Sequence, residues 1–250
     1  MRRRFLVDGF EEKAAVLTGD AAHHLGQVLR AEPGQQYELS DGRSVWLARV
    51  ERVTRDRIDF ALVEPLPARE PLLHIALYIS IVKFDRFEWC LEKATELGVS
   101  EIIPLAAARS EKGLLAAAPK RAARWARILM ESAQQSRRVR APLLHPVGRP
   151  AEAFTAFGAF PPGAQSTPVL RVLLSERENA TPIREVLADS PGSAGAALAI
   201  GPEGGWTDEE FSAAAEAGYR EVSLCSQILR TETAVIAALA ILNYALGDSP

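Results

Sequence analysis

Two stretches carry residue types whose spacing suggests chemistry: GPEGGWTDEEF, from Gly201 to Phe211, and ILRTETA, from Ile228 to Ala234. In the first, Gly201, Gly204 and Gly205 flank Pro202 and Glu203 directly after the apolar LAI, which bares backbone where a strand hands over to a helix. No lysine follows in a Gly-Lys-Ser/Thr arrangement and the chain has no GxGxxG, so a P-loop and a dinucleotide site are both excluded. Glu203 sets a carboxylate where a polyphosphate would be repelled, and a ligand with hydroxyls, an amine or a positive charge fits better. A tight turn without any ligand is the competing reading of this loop taken alone. In the second stretch, Arg230 stands at the start of an apolar helix, where the helix dipole disfavours a cation. Together with the N–H groups of Thr231 and its neighbours it forms a candidate anion or oxyanion site.

The elements that must position these stretches can be read from periodicity. Up to residue 64 the pattern is mostly strand: RRFLVD, AAVLTG, QQYELSDG and SVWLARVERV are short and β-rich, with Asp41-Gly42 as a hairpin turn. One helix interrupts them, AAHHLGQVLRAE, with Asp20 as its N-cap and Pro33-Gly34 as its end; His23 and His24 are read as packing residues. EPLPAREP, Glu64 to Pro71, is a proline-rich linker and sets a domain boundary near residue 70. Beyond it strands and helices alternate. LLHIALYISIV, SEIIPLA, PVLRVLLSE, AALAIG and EVSLC read as strands, and KFDRFEWCLEKATELG and PKRAARWARILMESAQQSRR as helices. TDEEFSAAAEAG is a helix with Thr207 as cap and Glu210 as its capping-box partner. TETAVIAALAILNYAL is a closing helix apolar enough to require burial under the sheet or against another subunit. SPGSAGAA, Ser190 to Ala197, is a flexible loop. The whole predicts an α/β domain with a mostly parallel sheet.

Composition narrows the function further. The chain has 250 residues, and its net charge of −3 hides an uneven distribution: residues 71–140 carry 12 Lys/Arg against 7 Asp/Glu, and residues 141–250 carry 6 against 13. Within residues 120–140, Lys120, Arg121, Arg124, Arg127, Arg137, Arg138 and Arg140 face one acid, Glu131. It is a candidate phosphate-binding surface, with a solvated helix face as the plainer reading. No apolar run is long enough for a membrane span, and acidic Asp8, Glu11 and Glu12 follow Arg2–Arg4 where a signal peptide needs apolar residues, so a cytoplasmic protein is expected. Cys90 and Cys225 lie far apart without CxxC spacing and there are four histidines, which points to two buried thiols and no metal site.

GPEGGWTDEEF followed by ILRTETA, and preceded by KFDRFEWCLEKATELGVSEIIPL, ARSEK and ESAQQSRRVRAP, resembles the RsmE family of small-subunit ribosomal RNA methyltransferases across nearly the whole chain. The resemblance implies a PUA-like, RNA-binding β-barrel at 1–70 and a SPOUT α/β domain at 71–250 with a deep trefoil knot, a rare exception to unknotted topology. It also implies a homodimer, no metal, and transfer of a methyl group from S-adenosylmethionine to N3 of a uridine in 16S rRNA of the small subunit. Matched by position, the cofactor role falls to Leu174 and Ser175, to Ile200, Gly201, Glu203 and Gly204, and to Leu224, Ile228, Leu229 and Thr231. The chain departs from the family pattern at Cys225, where a glycine is usual, and at Gln227, where a basic residue is usual.

The implied chemistry assigns further roles. Uridine N3 must lose its imide proton before it attacks a methyl group, so negative charge on the flanking carbonyl oxygens needs stabilisation, and Arg230 is placed to give it. Glu232 or Glu203 accepts the proton. The base must be unpaired or flipped out. Lys83, Arg86 and Arg109, with Arg137, Arg138 and Arg140, are the expected RNA contacts. Two other classes compete: an RNA-binding protein with a vestigial methyltransferase domain, and a SPOUT enzyme acting on another nucleotide or a small molecule. Retention of Gly201, Glu203, Arg230 and Glu232 argues against the first, and the basic helix with its added β-domain argues against a small-molecule substrate.

Overall fold

The computed structural model describes residues 3–69, 71, 73–156, 169–190, 192–193 and 195–247. Its chain separates into two compact units, Met1–Glu70 with Met130–Ala141, and Pro71–Leu129 with Pro142–Pro250. Leu72 and Pro168, which begin two expected strands, Glu70 in the expected linker, and Pro191 and Ala194 in the expected loop lie outside the described residues.

The first unit contains β1 (Arg4–Leu6), β2 (Phe10–Glu11), β3 (Ala14–Thr18), α1 (Gly19–His23), β4 (Gln36–Ser40), β5 (Val45–Val53) and β6 (Arg57–Leu66). Its strands form one curled sheet in the order β1-β4-β5-β6-β3-β2. Alternating inward side chains, among them Phe5, Leu17, Leu39, Val50, Ile58 and Phe60, close a core with Leu25. The Asp41-Gly42 turn is present, with Gly42 at φ +87° and the Asp41 carboxylate accepting from the N–H of Ser44 at 2.7 Å. Three expectations need correction. Thr18, not Asp20, occupies the N-cap of α1, two residues earlier, with Gly19 at φ +63°, and the helix passes into a π-helical turn at His24–Val28. β6 runs on through Glu64–Leu66, paired to β5, which shortens the linker. Met130–Ala141 also groups with this unit: Arg4 pairs with Glu38 at 2.9 Å and donates to the carbonyl of Arg137, and the Ser40 hydroxyl donates to the carbonyl of Val139 at 2.6 Å.

The second unit contains β7 (His74–Ser80), α2 (Phe84–Glu96), β8 (Glu101–Leu105), α3 (Lys112–Ala117), the start of α4 (Ala122–Gln135), β9 (Leu143–Leu144), α5 (Pro150–Ala156), β10 (Val169–Leu174), β11 (Thr181–Pro182), α6 (Ile183–Ala188), β12 (Gly195–Ile200), α7 (Asp208–Glu216), β13 (Arg220–Ser223) and α8 (Thr231–Leu246). The expected single helix over 119–138 is instead a 3-10 turn at Ala118–Arg121 followed by α4, because Pro119 lacks the N–H that an α-helix interior needs. Gly195, expected only within the loop, is buried and begins β12, and Ala196 and Ala197, covered by both the loop and the strand reading, belong to that strand.

The sheet order is β11-β13-β10-β12-β7-β8-β9, and every pairing among the described residues is parallel. From β10 the chain runs to β11 at the sheet edge, crosses back past β10 to β12, returns past β10 again to β13 between β11 and β10, and continues into α8, which packs on α2 and β12. This double return puts one later strand on each side of β10. It sets the carboxyl ends of β13, β10, β12, β7 and β8 side by side. The helices cover the sheet as their patterns require: Phe87, Cys90, Leu91 and Ala94 line the buried stripe of α2, and Ala234, Val235, Ala238, Leu239 and Leu242 that of α8.

At the amino ends of the strands, Glu101 holds two histidines, accepting at 2.9 Å from His74 and 2.7 Å from His145. The hydrogen bond from His74, opposed by partial burial and reinforced by His145, holds the Glu101 carboxyl below its ordinary 4.5. A depressed carboxyl pKa contributes stability above the unfolded value and loses it as the pH falls through the folded one. Denaturant unfolding at a series of pH values is therefore expected to show Glu101→Gln destabilised by about 1–2 kcal/mol at pH 7, with a shallower loss than wild type below pH 4.5. Parallel acid limbs in the two proteins would show that this carboxylate is not linked to folding.

Candidate functional site

Three loops at the carboxyl ends of β10, β12 and β13 enclose a cleft of about 710 Å³. The first contributes Leu174 to Glu178, the second Ile200 to Glu203 with Gly205 and Trp206, and the third Ser223 to Thr231. Ligands of open parallel sheets lie at such strand ends, where neighbouring connections diverge.

Trp206 joins the first two loops. Its indole N–H donates to the carbonyl of Leu174 at 3.1 Å, and its ring passes beneath Gly201 so closely that a Cβ there would lie 3.0 Å from it. Gly201 is thus required by close approach rather than by a turn. Gly205 serves the turn: its φ is +69° and its N–H donates to the carbonyl of Pro202 at 2.9 Å. The capping box is present, with Glu210 Oε2 accepting from the N–H of Thr207 at 2.8 Å. Oε1 of the same buried carboxylate accepts from the N–H of Ala108 at 2.8 Å, and so anchors the loop after β8. That loop delivers Arg109, whose Nη1 donates to the carbonyl of Gly204 at 2.8 Å.

The third loop ends at Arg230, which occupies the N-cap position of α8, lines the cleft and, among the described residues, has no ion-pair partner. Behind it the acids are organised by one cation. Arg86, in the first turn of α2, pairs through Nη1 with Glu203, and its Nε lies 4.0 Å from Oε1 of Glu232. The second oxygen of Glu232 is buried without a hydrogen-bond partner.

Nine of the residues expected at the cofactor site line the cleft: Leu174 and Ser175, Ile200, Gly201 and Glu203, and Leu224, Ile228, Leu229 and Thr231. Arg109 and Arg230 line it as well. Gly204 does not, because Arg109 covers it, and Glu232 does not, because it faces Arg86. Lys83 is exposed at the start of α2. Of the expected RNA contacts in the first unit, Arg140 is exposed. Arg138 is buried at 9% exposure, and Arg137, at φ +57°, lies 3.5 Å from Glu38. Arg137 thereby helps order its own unit. In the basic segment, Arg121 and Arg124 also have a carboxylate that sequence spacing missed, Glu88, at 3.4 and 2.8 Å.

Cys90 is buried, and burial reinforced by the charge of Glu232 pushes its thiol up to about 12. Cys225, expected to be buried, is exposed on the cleft wall, with Sγ 3.3 Å from the carbonyl of Gln227. Sequence reasoning also missed Arg177 and Phe211. The Arg177 guanidinium lies 3.6 Å from the centre of the Phe211 ring and pairs with Asp208. The signal for Trp206 was its place directly after the glycines; Arg177 had none.

A family model described as RNA methyltransferase domain matches residues 68–243, and one described as RNA methyltransferase PUA domain matches residues 17–63. The chain is 35% identical to ribosomal RNA small subunit methyltransferase E of Synechocystis over 94% of its own length and 74% of that protein. It is 28% identical to the Bacillus subtilis protein of the same name, covering 91% and 89% of the two chains. Two solved structures superpose over the full length of both chains at 30% identity. One is ribosomal RNA small subunit methyltransferase E from Neisseria gonorrhoeae bound to S-adenosyl methionine, with a TM-score of 0.87. The other is a putative methyltransferase from Legionella pneumophila in complex with the same cofactor, with a TM-score of 0.84. With its PUA-type and methyltransferase units and the cleft built from three strand-end loops, the chain belongs to the ribosomal RNA small subunit methyltransferase E family.

Proposed function

We propose that this protein transfers the methyl group of S-adenosylmethionine to N3 of a uridine in 16S rRNA, in the cytoplasm and as a homodimer. The observation that carries the reading is the cleft itself. Its volume suits a ligand of that size, its walls are bared backbone from three loops, and Gly201 is stripped to a hydrogen by the ring beneath it. Leu174, Ser175, Ile200, Gly201, Leu224, Ile228, Leu229 and Thr231 would hold the cofactor, which when bound supplies an electrophilic methyl group on a sulfonium centre.

The remaining work belongs to the side chains. Arg230 offers an unpaired guanidinium to the carbonyl oxygens beside N3, where charge grows as the imide proton leaves. Glu203 is the acidic side chain of the second loop that reaches the cleft wall, so we assign it the proton and give Glu232 the role of partner to Arg86. Lys83, Arg109 and Arg140 are exposed cations expected to contact RNA. Among the described residues no helix is long and apolar enough to cross a membrane, and no group of three or more His, Cys, Asp or Glu could hold a metal ion. For the dimer, the support is the pair α2 and α8, which leaves Trp89 at 42% and Tyr244 at 91% exposure.

Three outcomes are expected. Gly201→Ala drives a methyl group into the Trp206 ring, so calorimetry with S-adenosylhomocysteine should show affinity reduced by about tenfold or more; unchanged affinity would remove this loop from the cofactor site. Arg230→Ala should slow single-turnover methyl transfer by roughly 100-fold, about 3 kcal/mol, with cofactor affinity nearly unchanged. If RNA affinity falls instead and the saturated rate survives, Arg230 holds a phosphate. Light scattering should find a dimer that Tyr244→Glu converts to monomer, whereas a fully active wild-type monomer would contradict the assembly.

A further inference from the structure

Sequence spacing places Arg86 among the RNA contacts, but its surroundings point elsewhere. It projects from the first turn of α2 with 31% of its side chain exposed, and it meets two carboxylates from two different elements, one in a loop of the cleft and one in the helix that follows another. Glu203 comes from the glycine loop after β12, and Glu232 from the first turn of α8, two residues past Arg230. One guanidinium therefore spans the seam between the second and third loops, close to the point where Trp206 ties the second loop to the first.

We propose that Arg86 is a positioning residue which clamps the glycine loop to the start of α8 and so keeps the cofactor cleft closed. The proposal rests on the cofactor reading above. Its physical basis is electrostatic. Without Arg86, the two carboxylates that share it lose their common counter-ion, and like charges brought together disfavour the approach of the loops that carry them. The forked guanidinium of arginine suits this task, since its in-plane N–H groups can serve Glu203 through Nη1 while Nε lies 4.0 Å from Glu232. Arg86 is assigned no contact with the cofactor or with the uracil ring. It acts on Glu203, which lines the cleft, and through Glu232 on the helix start that presents Arg230.

Calorimetry with S-adenosylhomocysteine on the full-length protein tests this, paired with RNA binding at fixed salt. Arg86→Gln is expected to weaken S-adenosylhomocysteine by about tenfold while leaving RNA affinity unchanged. Arg86→Lys should recover part of the loss, because it restores charge without the fork. Glu203→Gln introduced into Arg86→Gln should also recover part, because it removes the repulsion that the first change exposes. Arg86→Gln binding as tightly as wild type overturns the proposal. So does a loss that neither lysine nor the second substitution relieves, which would mark a packing residue. A fall in RNA affinity with a salt dependence reduced by about one ion would return Arg86 to the phosphate contacts and overturn it too. Wild-type protein that fails to bind S-adenosylhomocysteine would overturn the cofactor reading itself, whereas a wild type that binds alongside an indifferent Arg86→Gln sinks the clamp alone.

Discussion

The approach of the Trp206 ring to Gly201 is the constraint on which the cleft depends. A buried indole needs a partner for its N–H, and it finds one in the carbonyl of Leu174, at the end of the neighbouring strand. The ring can reach that carbonyl only by passing under the glycine loop, at a distance that leaves no room for a Cβ at position 201. One side chain thereby fixes the separation of two loops, and the missing Cβ is what lets the ring lie against the backbone at Gly201.

The rest of the site follows from strand order. Because β10 lies between β12 and β13, with β7 and β8 next in line, the turns leaving these five strands meet along one edge. Each brings a polar group whose position is secured by a neighbour rather than by its own loop. Glu210 holds the backbone of Ala108 and so places Arg109, and Arg109 in turn holds the carbonyl of Gly204. Arg177 lies on Phe211 and pairs with Asp208. Arg230 differs from these cations, since it stands on the cleft wall at the end of a helix that disfavours its charge, with no ion-pair partner among the described residues.

Much of this architecture was legible in the chain. Local signals with a direct physical cause were read correctly: the apolar stripe of α2, the Thr207–Glu210 capping box, the Asp41-Gly42 turn and the bared backbone at Gly201. The errors fall where long-range contacts decide. Arg137 and Arg138 look like part of a basic surface until Glu38, about a hundred positions away, accounts for Arg137, and the fold buries Arg138. Spacing gave no sign that the sheet order brings Glu203 and Glu232 beside Arg86. Gly204 looks like a cofactor residue until Arg109 covers it. Spacing along a chain reports the periodicity of one element, and pairing between distant carboxylates and guanidiniums leaves no such trace.

The central claim is that this cleft methylates N3 of a uridine in small-subunit RNA. The most direct measurement is mass spectrometry of the nucleosides released from unmodified 16S rRNA, free or in assembled subunits, after incubation with the purified protein and S-adenosylmethionine. The expected result is a single new methylated nucleoside that co-elutes with 3-methyluridine and is absent when the protein is omitted. Methylation of another base or position, or none on either substrate, would contradict the account.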